Sequence, residues 1–345
     1  MYSFLSDYRK FVKNTDKILC GKNSDILFKK YDCDSLMTDF YKMFLRHCEG
    51  GKRLRAYFIK LGYELGGKIA DERIYLPCCA IEIMQTGILA QDDVMDNSPL
   101  RRGKPAVHME FGGGHTGESC AVCFGDFGII AGNDMILSSD FPSDVCAFAA
   151  KILNRISTQT IAGQLYDIKL SSSSEDYFEE DIINLYKFKT ARYTSTGPLL
   201  LGSAFAQEYD KMYPDILNAG DNIGIAFQIK DDIIGIFSDE SSSGKTTLSD
   251  MREGKKTILT AHFIRNASER DKNAFFEIYG KETSGKDELA KVQELLRNCG
   301  SLCYAEKLCA EYSEKARSCI NTSVFCENSK QKLNEILNFL IERKK

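Results

Sequence analysis

Two short acidic runs carry the chemistry most readily read from this chain. The first is Asp92, Asp93 and Asp96, at the end of residues 81–96, IEIMQTGILAQDDVMD. Asp92 and Asp96 are four apart, so on a helix they share a face, and Asp93 broadens the patch. Like charges at this spacing destabilise a helix. The residues before them are almost wholly apolar, so this helix is expected to be buried. A buried acidic face needs cations, whereas a solvated one would not. Mg²⁺ suits the site, because it takes one or two carboxylates, keeps waters and bridges to substrate phosphates.

The second run is Asp231 and Asp232 in residues 227–239, FQIKDDIIGIFSD, with Gln228 about one turn upstream. Basic residues follow both runs. Arg101 and Arg102 come after the first, with Gly103 and Pro105 making a turn. Lys245, Lys255 and Lys256, with Asp250 between the first two, come after the second. Guanidinium groups are the best side chains for bidentate phosphate binding. Two acidic helix patches facing one another across a helical core would clamp one diphosphate through shared metal ions. They would then stabilise the charge that builds on it as it departs.

Such patches need helices to carry them. The chain has 6 prolines in 345 residues. Apolar residues recur at three- and four-residue spacing over Val145–Leu170, Tyr177–Phe188 and Gln331–Leu340. Strand-like alternation is hard to find. Ser171–Ser174, followed by Glu175 and Asp176, reads as a loop entering an N-cap and an acidic first turn. Ser238–Gly244 is a second polar loop, and Pro198 is expected to kink a helix over Thr194–Ala206. There is no internal repeat and no long linker. The expectation is all-α: a single large helical bundle over residues 1–345.

Composition excludes several classes. Net charge is −4, from 45 basic and 49 acidic residues, which leaves no footprint for nucleic acid. The 13 cysteines are odd in number and scattered, as expected of reduced thiols. Met1–Lys10 lacks the apolar core of a secretory signal, and no unbroken apolar run approaches a transmembrane span. A cytoplasmic protein is expected. Cys120 and Cys123 lack the second pair of a metal site and read as packing. Gly244-Lys245-Thr246 resembles the end of a phosphate-binding loop, but the glycine that loop requires is Asp239 here. Gly112, Gly114 and Gly117 match a dinucleotide fingerprint in spacing only, with no strand before them.

Taken in order, the blocks become specific. They are GGKRLR at Gly50–Arg55, DDVMD with RRGKP at Asp92–Pro105, and GQLYD at Gly163–Asp167. KT at Lys189–Thr190, FQIKDD at Phe227–Asp232 and GK…D…GKKT at Gly244–Thr257 complete the series. The whole chain resembles the trans-isoprenyl diphosphate synthases, the family of farnesyl and geranylgeranyl diphosphate synthases. The resemblance implies an all-α bundle around a central cavity, usually a homodimer, that joins an allylic diphosphate head to tail to isopentenyl diphosphate. The allylic partner would be dimethylallyl, geranyl or farnesyl diphosphate.

The resemblance also assigns roles. Asp92, Asp96 and Asp231 would bind Mg²⁺ directly, three ions per site, with Asp93 and Asp232 in support. Arg101, Lys189, Lys245 and Lys255 would hold the allylic diphosphate, helped by Thr190 and Gln228. Lys52, Arg55, Gln85 and Arg102 would hold isopentenyl diphosphate. Gln164 and Asp167 would lie near the reacting carbons or the metals. Ionisation of the allylic diphosphate leaves a carbocation, the double bond of isopentenyl diphosphate attacks it, and a proton leaves to the departed diphosphate. Two positions depart from the family pattern: Gly235 stands where a third acid is usual, which would lower metal affinity, and Gln85 where many relatives have histidine.

Product length should be set one turn before the first cluster, at Gly87 and Ile88. Farnesyl-type members of the family the chain resembles typically place bulky aromatics at one or both positions, blocking growth beyond fifteen carbons, so glycine with isoleucine implies twenty or more. In the alternative, Gly87 only lets two helices approach and Phe124 forms the floor. A farnesyl-length synthase, a class I terpene cyclase and a non-catalytic partner subunit are the competing readings. The cyclase has no use for Lys52, Arg55 and Arg102, and such subunits commonly lose one acidic cluster. The terminal Arg343-Lys344-Lys345 is read as a solvated tail.

Overall fold

The computed structural model of the chain describes residues 4–21, 24–28, 31, 35–172, 177–238 and 247–343. Helices dominate it, as the spacing predicts. They are α1 (Phe4–Leu19), α2 (Ser35–Cys48), α3 (Leu54–Leu65), α4 (Tyr75–Met95), α5 (Val107–Glu110), α6 (Gly114–Leu137), α7 (Ser143–Ser172) and α8 (Glu179–Leu185). After a π-helical segment (Tyr186–Thr196) come α9 (Gly197–Phe205), α10 (Tyr209–Phe237), α11 (Thr247–Arg252), α12 (Ile258–Asn266) and α13 (Glu269–Phe276). The last are α14 (Lys286–Asn298), α15 (Ser301–Thr322) and α16 (Glu327–Glu342). Among the described residues the strand content is one hairpin, β1 (Leu100–Arg101) with β2 (Lys104–Pro105). Its turn residues Arg102 and Gly103 have φ of 54° and 75°, the backbone of a tight hairpin turn.

Packing groups the chain into two compact units. The first comprises Met1–Asn154, Pro198–Met212 and Phe325–Lys332, the second Arg155–Gly197, Tyr213–Val324 and Leu333–Lys345. Each is assembled from separate stretches, so no single cut in the chain isolates either, in keeping with the missing linker.

In the first unit α4 lies against α6 at glycine contacts. A Cβ on Gly128 would stand 2.9 Å from the Gly87 Cα, and one on Gly132 would stand 2.8 Å from the Ala80 carbonyl oxygen. These helices approach so closely that only hydrogen fits at those places. Beside them an aromatic cluster packs Phe124 on Phe44 with ring centroids 4.4 Å apart, with Phe28, Phe40 and Phe127 around the pair. Both α4 and α6 are long and apolar enough to cross a membrane by length and composition. That differs from the expectation, which counted only unbroken apolar runs. Of their most apolar windows, 72% and 44% respectively are buried.

The second unit buries Ile225, Ile229 and Ile236 of α10 against Ile258 and Phe263 of α12, Val292 and Leu296 of α14, and Ala305 of α15. The loop expected at Ser171–Ser174 is in part helical. Ser171 and Ser172 are the end of α7, and the acidic first turn is Glu179–Asp181, whose Asp181 accepts from the Phe178 N–H at 2.8 Å. Ser173–Asp176 lie outside the described residues, as does most of the polar loop from 239 to 246. Pro198 is the second residue of α9, directly after the π-helical segment, and Gly197 N–H bonds to Arg192 O.

Candidate active site

The first acidic cluster closes the carboxyl-terminal end of α4, and the second lies between one and two turns before the end of α10. Asp92 and Asp93 lie in the last turn of α4 and Asp96 caps it. Asp231 and Asp232 lie near the end of α10, and neither helix has a basic residue in its last turn. The helix dipole is negative there, so carboxylates add to an existing excess of negative charge. Cations beside such an end offset that charge.

In the first unit that cation is Arg101. Its Nε donates to Asp93 Oδ1 at 2.7 Å, Nη2 donates to the same oxygen, and Nη2 stands 3.4 Å from Asp92 Oδ2. Asp93 is only 1% exposed, so it serves to hold Arg101, which fits a supporting role. Asp92 and Asp96 are more open.

The GGKRLR loop is built around an arginine that the sequence did not single out. Arg53 opens α3 with φ 55° and is 2% exposed. It donates to Asp16 Oδ1 at 2.7 Å, Glu82 Oε2 at 3.2 Å and the Cys48 carbonyl at 2.6 Å. With Arg53 turned inward, Lys52 stays exposed and Arg55 partly so. The Tyr8 hydroxyl bonds to the Lys52 carbonyl. Arg102 lies over the two glycines: a Cβ on Gly51 would be 3.5 Å from its Nη2, and one on Gly50 3.8 Å from its Cδ. Its Nη1 donates to the Glu49 carbonyl at 2.6 Å. Its described hydrogen-bond partners are backbone carbonyls. Burial, then the Arg53 charge, lowers its pKa. A guanidinium held by carbonyls keeps its charge available for an anion. On α4, Gln85 is buried and its Oε1 has no hydrogen-bond partner.

In the second unit the motifs interlock. A Cβ on Gly163 would lie 2.5 Å from the Lys189 N, so glycine lets α7 touch the π-helical segment. One turn on, Asp167 Oδ2 accepts from Lys189 Nζ at 2.5 Å. Thr190 Oγ1 donates to Gln228 Oε1 at 2.8 Å, and Gln228 Nε2 donates to Asp232 Oδ1 at 2.8 Å. The buried Tyr186 hydroxyl also bonds to Asp232. Burial raises the Asp232 carboxyl to about 7, with Asp231 and Asp250 adding to the rise. Lys255 Nζ rests on Asp250 Oδ1 at 2.5 Å and lies 3.4 Å from Glu253. Asp231 is the open carboxylate, its side chain 53% exposed. Lys245 lies outside the described residues.

One expectation is corrected. Gly87 does not open onto free space: a Cβ there would stand 2.7 Å from the Gly125 carbonyl oxygen and 3.1 Å from the Gly128 Cα. Its role is the close approach of α4 to α6, while its neighbour Ile88 remains partly exposed.

The donor set fits magnesium. It is all carboxylate oxygen, and among the described residues no three acidic, cysteine or histidine side chains form a ready-made metal cage. Mg²⁺ is commonly held by one or two carboxylates and completed by water and phosphate oxygens.

Comparison with known proteins agrees with this geometry. The polyprenyl synthetase family model matches residues 37–296. A geranylgeranyl diphosphate synthase of Saccharolobus solfataricus is 34% identical over 303 residues, 86% of this chain and 87% of that protein. A geranylfarnesyl diphosphate synthase of Aeropyrum pernix is 31% identical over 303 residues, 86% and 91% of the two chains. Among solved structures, the geranylgeranyl pyrophosphate synthase of Corynebacterium glutamicum, complexed with isoprenyl diphosphate and magnesium, superposes with a TM-score of 0.87. It is 26% identical and the match covers 97% of this chain and 99% of that one. The chain belongs to the polyprenyl synthetase family. It is an all-α prenyltransferase.

Proposed function

We propose that the enzyme condenses an allylic diphosphate with isopentenyl diphosphate in a magnesium-dependent reaction, giving linear all-trans prenyl diphosphates of twenty carbons or more. The observation that carries this reading is the pair of carboxylate clusters at the negative ends of α4 and α10, each with phosphate-binding cations nearby in the chain. The relatives named above make the longer products the natural reading.

Asp92, Asp96 and Asp231 hold magnesium, with Asp93 and Asp232 fixing their surroundings. Bound magnesium supplies Lewis-acid stabilisation of the leaving diphosphate. Arg101, Lys189, Lys245 and Lys255 take the diphosphate oxygens, and each of the described three is oriented by a carboxylate. Lys52, Arg55, Gln85 and Arg102 hold isopentenyl diphosphate. Its double bond attacks the carbocation left once the allylic carbon–oxygen bond has broken, and the proton lost from the adduct passes to the departed diphosphate. A terpene cyclase would leave Arg102 and its glycine loop without a role.

The homodimer reading draws support from α6. Val122, Ile130 and Leu137 lie on one side of that helix and are 45%, 67% and 52% exposed, an apolar stripe that a second copy would cover.

The test is incorporation of labelled isopentenyl diphosphate into acid-labile product. Mg²⁺ should support it and EDTA abolish it, and Asp92→Ala, Asp96→Ala and Asp231→Ala should each end it. Undiminished incorporation by Asp92→Ala would sink the assignment.

A further inference from the structure

Helix α1 lies before the first of the ordered sequence blocks, which begins at Gly50, yet it touches that block. Its Phe4, Phe11, Thr15 and Leu19 are buried, at the three- and four-residue spacing of one packed face. Tyr8 falls on the same face. Its ring packs against Phe4, with centroids 6.1 Å apart, and edge to face on the fully buried Tyr57 of α3, at 5.0 Å. The hydroxyl so placed donates to the Lys52 carbonyl. Burial, then the Glu82 carboxylate, raises the phenol pKa, so the hydroxyl keeps the proton it donates.

Lys52 stands between two left-handed positions, Gly50 with φ 73° and Arg53 with φ 55°, and α3 begins only at Leu54. A lysine in such a segment is placed by whatever holds the backbone around it. On one side Arg102 Nη1 grips the Glu49 carbonyl at 2.6 Å. On the other, Arg53 is anchored inward by Asp16, Glu82 and the Cys48 carbonyl. Tyr8 supplies the bond at Lys52 itself. Helix α1 is fastened to α3 on both sides of that tyrosine. Asp7 Oδ2 accepts from Lys60 Nζ at 2.7 Å and from the Tyr57 hydroxyl at 2.9 Å, and Asp16 Oδ1 accepts from Arg53 Nε at 2.7 Å. The Tyr8 hydroxyl is therefore a fixed donor, the kind of support that keeps a binding residue in place.

We infer that Tyr8 is a positioning residue for isopentenyl diphosphate: through the Lys52 carbonyl it fixes the backbone from which Lys52 takes the diphosphate together with Arg102. The inference deepens the reading of the GGKRLR loop as the isopentenyl diphosphate site and rests on it. A backbone already held in place removes the ordering cost that a loose loop would meet on binding. The effect falls on this substrate and not on the allylic one, whose cations Arg101, Lys189 and Lys255 are held by carboxylates of their own.

The experiment measures isopentenyl diphosphate binding to the full chain by calorimetric titration, and the KM values of isopentenyl and farnesyl diphosphate in steady-state kinetics. Tyr8→Phe keeps the ring and removes only the hydroxyl. It should weaken isopentenyl diphosphate binding and raise its KM by about 3- to 10-fold, the worth of one hydrogen bond, and leave the KM for farnesyl diphosphate at the wild-type value. Lys52→Ala should weaken isopentenyl diphosphate binding as well. Adding Tyr8→Phe to it should cost less than about twofold more, because the hydroxyl acts through Lys52. A merely structural role would give the same loss in both backgrounds. Wild-type binding by Tyr8→Phe, equal losses for the two substrates, or additive losses in the double variant overturn the inference. Lys52→Ala separates the two levels: if it binds isopentenyl diphosphate normally, the reading of the loop falls and the inference with it.

Discussion

Arg343 donates from Nη2 to Asp231 Oδ1 at 2.9 Å, so the carboxylate most open to a metal is already paired with a cation from the end of the chain. The same guanidinium reaches the Phe227 carbonyl at 3.3 Å and stacks 4.2 Å from the centre of the Phe227 ring. Arg343 is therefore not part of a solvated tail; Lys344 and Lys345 lie outside the described residues. A guanidinium and a magnesium ion compete for one carboxylate. An ion pair with one exposed partner is worth at most about 1 kcal/mol. Arg343→Gln should thus tighten Mg²⁺ binding by up to about fivefold in a calorimetric titration. Unchanged or weaker binding would show that the pair does not compete with metal.

Asp232 predicts a pH effect on stability without metal. Its carboxyl titrates at about 7 when folded and at ~3.9 when unfolded. Between those values the folded state holds a proton that the unfolded state has lost, so stability falls as pH rises. The contribution is fully present below ~4 and is gone above about 7. The slope from this one group is at most about 1.4 kcal/mol per pH unit. Urea midpoints of the metal-free protein should decline from pH 5 to 8 more steeply than those of Asp232→Asn. Parallel profiles would contradict the assignment.

Gly87 should behave as a packing residue. Gly87→Ala places a methyl group against the backbone of α6 and should cost about 1–3 kcal/mol in chemical denaturation. Ile88, which is partly exposed, is the position to test for product length: Ile88→Phe should shorten the product with little loss of stability. A Gly87→Ala protein as stable as the wild type would reopen the tunnel-floor reading.

Neighbouring arginines should separate cleanly. Arg102→Ala should raise the KM for isopentenyl diphosphate by ~10- to 100-fold, the worth of charge-assisted hydrogen bonds of about 1.5–3 kcal/mol, and change kcat less. Arg53→Met should instead lower stability by about 3–5 kcal/mol, because it strands Glu82 as an unpaired buried charge. Steady-state kinetics and denaturation of the two variants distinguish the roles, and a KM effect alone for Arg53→Met would reverse the assignment.

Helical periodicity made α7 and α16 legible, and four-residue spacing placed Asp92 and Asp96 together, because both signals are local. The GQLYD and KT blocks were legible as motifs, but their joint meaning was not. Only the fold shows Gly163 seating Lys189 and Asp167 holding its ammonium group. Within GGKRLR three basic residues look alike; a positive φ at Arg53 turns that one inward, and no spacing rule signals it. Tyr8 on the Lys52 carbonyl joins residues 44 apart. Arg343 on Asp231 spans more than a hundred residues. The division into two units was also hidden, since each is built from interleaved stretches rather than consecutive ones.

The most direct measurement is the length of the product. The purified enzyme should be incubated with isopentenyl diphosphate, Mg²⁺ and in turn dimethylallyl, geranyl and farnesyl diphosphate, and the products identified by mass spectrometry. Linear prenyl diphosphates of twenty carbons or more are expected. Products ending at fifteen carbons, cyclic hydrocarbons or no turnover would contradict the account.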